Sequence, residues 1–393
     1  MSTIQLKLSS LLIFVILSLE LQLSTAQYDI FDMGLDNPLN LIWKNRQTGH
    51  NHDMSTRINC PTYDNNNRTG TCMTSTSCKF QGGISIGRST CRLWNTCCVF
   101  EITSNQTSNS RVTYFVNPPN PRTRTQPHHV HIQLLQDVCQ LRVDIISMRL
   151  APPLVEPAMP AGVTSTCKDE YLQIDPMTSD NTLPAFCGTQ NNQHFYVHLD
   201  QHNHWSTFTL SIFLDRPAAA TSDATWDIKI TQLECPRYRG THDKQAKTDR
   251  NQLANDFYLL APRNCLQYFT EPRGEVYNFG FVPTTMSTLT TNQDYAICFK
   301  RQPGSCGISF KVNHFFLRSK APCDEEYIYI PEAVDTEKIC DEIPAMPVTT
   351  LESIHPGPLY IHFHSDSVVE TPTGQHGFHF EYNNVRCQNK KNL

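Results

Sequence analysis

Residues 225–235 read TWDIKITQLEC and residues 377–387 read GFHFEYNNVRC. In each, large apolar residues alternate with polar ones: Trp226, Ile228 and Ile230 in one, Phe378, Phe380 and Tyr382 in the other. Successive side chains of a strand point to opposite faces, so period two with aromatic and β-branched residues marks half-buried antiparallel strands. Both stretches end on a cysteine, and the correspondence extends upstream. FTLSIFLD (208–215) lies opposite YIHFHSD (360–366), CKDEYLQI (167–174) opposite CDEEYIYI (323–330), and LPAFCG (183–188) opposite DTEKICD (335–341). Cys139, Cys167, Cys187 and Cys235 stand at intervals of 28, 20 and 48, and Cys306, Cys323, Cys340 and Cys387 at 17, 17 and 47. A repeat of roughly 130 residues is a whole domain rather than a solenoid unit. Two β-sandwiches in tandem fit it, each long enough to bury a core of its own.

The whole chain agrees with an all-β reading. Of 393 residues, 25 are proline, which weighs against helical bundles. Lys and Arg number 32 against 37 Asp and Glu, a net charge of -5 with no long run of either sign. A nucleic-acid binder would show a concentrated basic face. At the amino end Lys7 precedes the apolar run Leu11–Leu17, followed by Ser24-Thr25-Ala26. This is a secretory signal over 1–26, cleaved after Ala26; the run is short for a membrane span, and Glu20 interrupts it. The carboxyl end, NKKNL, carries no anchor signal, so the mature chain is expected in the extracellular space without a membrane anchor. All 16 cysteines lie beyond the signal, an even number that reads as eight disulfides in an oxidising compartment. Asn67-Arg68-Thr69 and Asn105-Gln106-Thr107 are glycosylation sequons.

A polar arm, 27–59, leads to six cysteines crowded together: Cys60, Cys72, Cys78, Cys91, Cys97 and Cys98. The surrounding residues have little to build a core from, so disulfides must order the segment 60–101. It resembles the clip module of arthropod extracellular protease cascades. The resemblance lies in an isolated Cys60, Gly70-x-Cys72, five residues to Cys78, then Cys91 and a closing Cys97-Cys98 pair. It implies the bonds Cys60–Cys97, Cys72–Cys91 and Cys78–Cys98. An unrelated six-cysteine knot is the alternative.

The repeats, 108–236 and 258–388, resemble CUB domains, extracellular β-sandwiches of roughly jelly-roll form. Cys265 to Cys298, with Gly274-Glu275-Val276 between them, is similar to that domain's opening strand and first disulfide. CDEEYIYI from Cys323 is similar to its Cys-x-Tyr-Asp-x-Leu-x-Ile strand, and Ser365-Asp366 followed by Gly377-Phe378 to its ending. In the first copy TYFVNPPNP (113–121) resembles the opening strand, without a cysteine to close the opening disulfide. Under this resemblance six cysteines belong to the knot, four to the first repeat and six to the second. The expected pairing is Cys139–Cys167, Cys187–Cys235, Cys265–Cys298, Cys306–Cys323 and Cys340–Cys387. The polar stretch 237–257 reads as a linker and 389–393 as a tail. The arrangement resembles arthropod secreted proteins with CUB repeats and no enzyme domain.

The chain holds no His-Glu-x-x-His, Gly-Asp-Ser-Gly or Gly-x-Ser-x-Gly stretch, and its length is used up by the knot and two sandwiches, so it is not expected to be an enzyme. Many CUB domains bind calcium, which wants six to eight oxygen ligands, several of them charged. Here Asp366 and Glu326 match two family positions in the second repeat, but Arg318 stands at the upstream Glu; Asp215 and Glu170 match in the first, with Ala151 at that position. Neither set is complete, and no cofactor is expected. His362, His364 and His379 would share one strand face, a grouping suited to zinc, copper or a pH response; His194, His198, His202 and His204 form a second group. With no cysteine or acidic residue at ligand spacing, both read as solvated, histidine-rich faces. The leading function is a secreted, non-catalytic protein binding extracellular proteins or glycans. The alternatives are a non-catalytic regulator of a serine-protease cascade and a structural component of an extracellular coat.

Overall fold

The fold is that of a computed structural model, described over residues 59–387 except 63–67, 87–90, 92–93, 120, 122–126, 136–137, 159–161, 176–182, 200–205, 216–223, 236–255, 284–288, 318, 320–321, 334–337, 343–349 and 369–374. The signal, residues 27–58 of the arm, the linker centre, the tail, Asn67, Arg318, His202 and His204 lie outside these residues.

The knot is a four-stranded antiparallel sheet ordered Asn59–Pro61, Thr69–Thr74, Asn95–Val99, Ile84–Ile86, with one short helix, Ser75–Phe80. Its bonds are Cys60–Cys97, Cys72–Cys91 and Cys78–Cys98, the three that the clip resemblance implies. Chain approach is close enough that a Cβ at Gly70 would sit 2.4 Å from the Cys98 carbonyl oxygen, so the knot needs glycine there. Arg68 fastens the knot to the next domain. Its guanidinium donates to both oxygens of Asp227 at 2.7 and 2.9 Å and to Glu101 at 2.9 Å, and it covers the Tyr114 ring.

Each repeat is a pair of facing sheets. In the first, Glu170–Asp175, Thr207–Leu214, His128–Gln133 and Gln106–Ser108 form one sheet; Gln193–His198, Val138–Arg149, Thr225–Glu234, Val112–Val116 and Glu101–Ile102 form the other. In the second, the order Cys265–Phe269, Gln293–Phe299, Leu359–Ser365, Glu326–Tyr329 faces a sheet built on Arg273–Tyr277, Gly377–Arg386 and Ser305–Leu317. The two stretches that decide the fold are the central strands of their sheets. Trp226 and Phe378 both point inward, 1% and 0% exposed. Gly377 is required where it stands: its φ is 131°, and a Cβ would meet the Asn278 amide that accepts from the Phe378 N–H at 2.8 Å.

All 16 cysteines are bonded, but four of the eight bonds differ from the expected pairing. Cys139 pairs with Cys235 and Cys167 with Cys187; Cys306 pairs with Cys387 and Cys323 with Cys340. Strand register is the reason. Glu234 lies across from Val138 and Arg386 across from Ser305, so the cysteine beside each pair meets its counterpart at the ladder end. The inner bonds close short hairpin-like turns, where Phe186 bridges to Leu172 and Ile339 to Ile328. Cys265–Cys298 is as expected, linking two parallel neighbouring strands.

The repeats share a buried junction. Phe186 meets Phe279 edge-on with ring centroids 4.8 Å apart, joining the two cores. Around them the Gln140 amide brackets Ala261, donating to its carbonyl at 2.7 Å and accepting its N–H at 2.9 Å, and Gln267 donates to Gln193 at 2.7 Å. A buried ion pair joins Arg111 to Asp256.

Candidate functional site

The positions matching the family's calcium ligands are engaged in internal contacts. Glu170 is 1% exposed, and its Oε2 accepts the Ala151 N–H at 2.7 Å. Ala151 thus gives Glu170 a backbone donor where an ion would need an oxygen. In the second repeat Glu326 is fully buried, and its Oε2 accepts from His376 Nε2 at 2.7 Å. Asp366 is exposed on the strand end, its Oδ1 taking the Ser367 N–H. A buried imidazole thus faces the carboxylate from inside. Nothing in the sequence singled out His376, which lies 50 residues from Glu326. Asp215 is exposed, and its N–H donates to the Asp169 carbonyl at 2.8 Å.

The histidine groups are arranged otherwise than expected. His362 and His364 do share an outer face, on strand Leu359–Ser365, but His379 belongs to the opposite sheet, where it stacks edge-on against Tyr277 and faces Glu275 at 3.4 Å. Consecutive strands of the sandwich alternate between sheets, so sequence neighbours part company. An acidic partner is present too: Asp294, on the adjoining strand Gln293–Phe299, accepts from His362 Nε2 at 2.6 Å and lies 3.5 Å from His364 Nδ1. His194 is not solvated. It is 6% exposed in the junction, and its Nε2 accepts the Tyr268 N–H at 3.1 Å. Burial first, then the charge of Arg142, pulls its pKa down to about 4, so the ring is neutral near pH 7, with Nε2 3.0 Å from the Tyr268 carbonyl as well as 3.1 Å from its N–H. His198 is also drawn into the junction, within 3.5 Å of the Cys265 carbonyl, and burial lowers its pKa.

On the outer face of the first sandwich His129 and His131 stack with centroids 6.1 Å apart. His129 Nδ1 meets Ser211 Oγ at 2.6 Å and His131 Nδ1 meets Thr209 Oγ1 at 3.0 Å. Burial, then the neighbouring His131 and His128, lowers the His129 pKa. An imidazole–hydroxyl pair is half of a nucleophilic site, which also needs a group orienting the base and donors for an oxyanion. Among the described residues no carboxylate meets His129. A cleft of about 240 Å³ opens at the junction, walled by Pro152, Pro153, Phe186, Phe279, Gln190 and Gln293. That is below the ~300–1,000 Å³ usual for enclosing a small ligand. A second hollow, of about 380 Å³, lies on the outer face of the first sandwich, lined by His129, His131, Asp175 and Phe213 among others. Asn105 is exposed on a turn with φ 52°, open to glycosylation.

The animal CUB domain family model matches residues 262–385, so the second sandwich is a CUB domain. Solved structures with similarity include the CUB1-EGF-CUB2 domains of rat MASP-1, 12% identical, covering 72% of this chain and 100% of that one with a TM-score of 0.22. The full extracellular region of zebrafish Gpr126/Adgrg6 is 10% identical, with 75% of this chain and 38% of that one covered and a TM-score of 0.22. No curated protein sequence matches the chain. Among the described residues no helix is long and apolar enough to cross a membrane.

Proposed function

We propose that the chain is a secreted, non-catalytic protein that binds extracellular proteins or glycans through two CUB-like sandwiches. The CUB domain at 262–385 carries this reading, because the module is a non-catalytic one associated with extracellular interactions. The eight disulfides support an oxidising compartment. The first sandwich, with the same nested disulfides and central strands, is read as a second CUB-like domain. Calcium is left out of this reading, which the internal donors taken by Glu326 and Glu170 support.

The agreement of the knot's three bonds with the clip pattern favours a second reading, in which the knot docks onto a component of a protease cascade and regulates it. One experiment addresses both. The oxidised chain is immobilised and exposed to extracellular fluid, and each retained protein is then purified and titrated against it. Saturable binding that disappears on reduction and alkylation is expected; a protease among the partners selects the second reading. Absence of any saturable partner, or peptide turnover abolished by one substitution, overturns the proposal.

A further inference from the structure

The outer face of the CUB domain's four-stranded sheet presents an unusual combination at one point. Strand Leu359–Ser365 carries His362 and His364 two residues apart, so both rings stand on the same face. The neighbouring strand places Asp294 directly across from His364 and the small Ala296 across from His362. Because Ala296 leaves the space over its own position free, the Asp294 carboxylate reaches straight across to His364 and diagonally to His362. One oxygen lies 2.6 Å from His362 Nε2, the other 3.5 Å from His364 Nδ1. The contacts differ in kind. The first is a hydrogen bond, whereas His364 Nδ1 is shielded from solvent and makes no hydrogen bond despite facing the carboxylate. On the far side Tyr327 stacks on His364 at 5.0 Å and 25°, fixing the plane of that ring. Lys338, which covers Tyr327, is paired with Asp324.

We infer that Asp294, His362 and His364 form a zinc site on the outer face of the second sandwich. Tetrahedral zinc with bonds of about 2.0–2.1 Å spaces its ligand atoms about 3.3 Å apart. The Asp294 contacts, 2.6 and 3.5 Å, bracket that value but run to different carboxylate oxygens, and the three ligand atoms do not all lie within 4.8 Å of one another, so both rings must turn toward one oxygen to share an ion. Two imidazoles with one carboxylate select a borderline transition ion over calcium or magnesium, which want oxygen shells. On binding, the Nε2 proton of His362 is displaced to Nδ1 or to solvent and the lone pair coordinates the ion. The same event gives the solvent-shielded Nδ1 of His364 a partner. Three protein ligands leave one tetrahedral position for water or for a side chain of another molecule. The equivalent face of the first sandwich supplies an internal comparison. There His129 and His131 occupy the corresponding outer face but meet the hydroxyls of Ser211 and Thr209, not a carboxylate.

The test is zinc titration of the chelator-treated full chain by calorimetry, with bound metal counted after dialysis and calcium as the comparison ion. Saturable zinc binding is expected, with one ion fewer per chain in the double variant His362→Ala/His364→Ala. Asp294→Asn, which keeps the shape of the site, is expected to weaken that ion's binding on the order of tenfold or more. The double variant His129→Ala/His131→Ala is expected to retain it. Far-ultraviolet circular dichroism checks that each variant is folded, and the ring nitrogens of His362 and His364 are expected to shift in nuclear magnetic resonance spectra on zinc addition. No saturable zinc binding, or stoichiometry and affinity unchanged by both the 362/364 and the 294 substitutions, overturns the assignment.

Discussion

Acidification tests the junction between the sandwiches through one side chain. His194 is 6% exposed, its Nε2 accepts the Tyr268 N–H, and its ring lies edge-on against Phe269 at 4.8 Å. Desolvation is the main reason its pKa falls to about 4; Arg142 lowers it further, while Asp144 and the approach of Nε2 to the Tyr268 carbonyl at 3.0 Å act in the opposite sense. In the unfolded chain the ring titrates near its ordinary value of about 6.5. The unfolded state therefore binds more protons between those two values, and folding loses stability as the pH drops through that window. A depression from 6.5 to about 4 is worth ~3 kcal/mol, at about 1.36 kcal/mol for each pH unit. His194→Gln keeps an acceptor for the Tyr268 N–H and removes the titration. Urea unfolding of both proteins at about pH 7.5 and about pH 4 is the assay. The wild type is expected to lose ~3 kcal/mol more than the variant between these conditions, with no further divergence at lower pH. Equal losses in the two proteins would refute a buried, neutral His194.

Phe279→Ala removes the ring that joins the cores and is expected to cost ~3–5 kcal/mol. Calorimetry should show both sandwiches melting earlier, where separable repeats would shift only one. Arg68→Ala deletes three charged hydrogen bonds between the knot and the first sandwich. It is expected to cost ~2 kcal/mol, since Asp227 and Glu101 remain partly hydrated, and limited proteolysis should then cut between knot and sandwich first. Millimolar calcium is expected to leave the melting temperature unchanged; saturation at 100 times a dissociation constant would add ~2.7 kcal/mol, which scanning calorimetry resolves readily.

Alternation at Trp226–Ile230 and Phe378–Tyr382 made the central strands readable, because period two reports which side chains go inward whatever their partners. The knot's pairing was readable only through the clip resemblance of Cys60, Gly70-x-Cys72, Cys78, Cys91 and Cys97-Cys98, because six cysteines by themselves allow many connectivities. Pairing in the repeats was not. Intervals along the chain measure loop lengths, whereas Cys139 meets Cys235 because a register across 96 residues brings Val138 opposite Glu234. Alternation also cannot say what covers a sheet face. His194 has the spacing of a solvated residue and is buried by the second repeat, a contact made over 74 residues. Asp294 escaped notice for the same reason, being 68 residues from His362. His379 was grouped with His362 although their strands belong to opposite sheets, which periodicity within a strand does not encode.

Beyond the knot lie two sandwiches of one plan, each closed by the same nested pair of disulfides. Peptide mapping of the non-reduced protein by mass spectrometry distinguishes this nesting from sequential pairing. Cys139–Cys235 enclosing Cys167–Cys187, Cys306–Cys387 enclosing Cys323–Cys340, and no free thiol are expected. Peptides joining Cys139 to Cys167 or Cys306 to Cys323, or a free thiol at any of these positions, would contradict it.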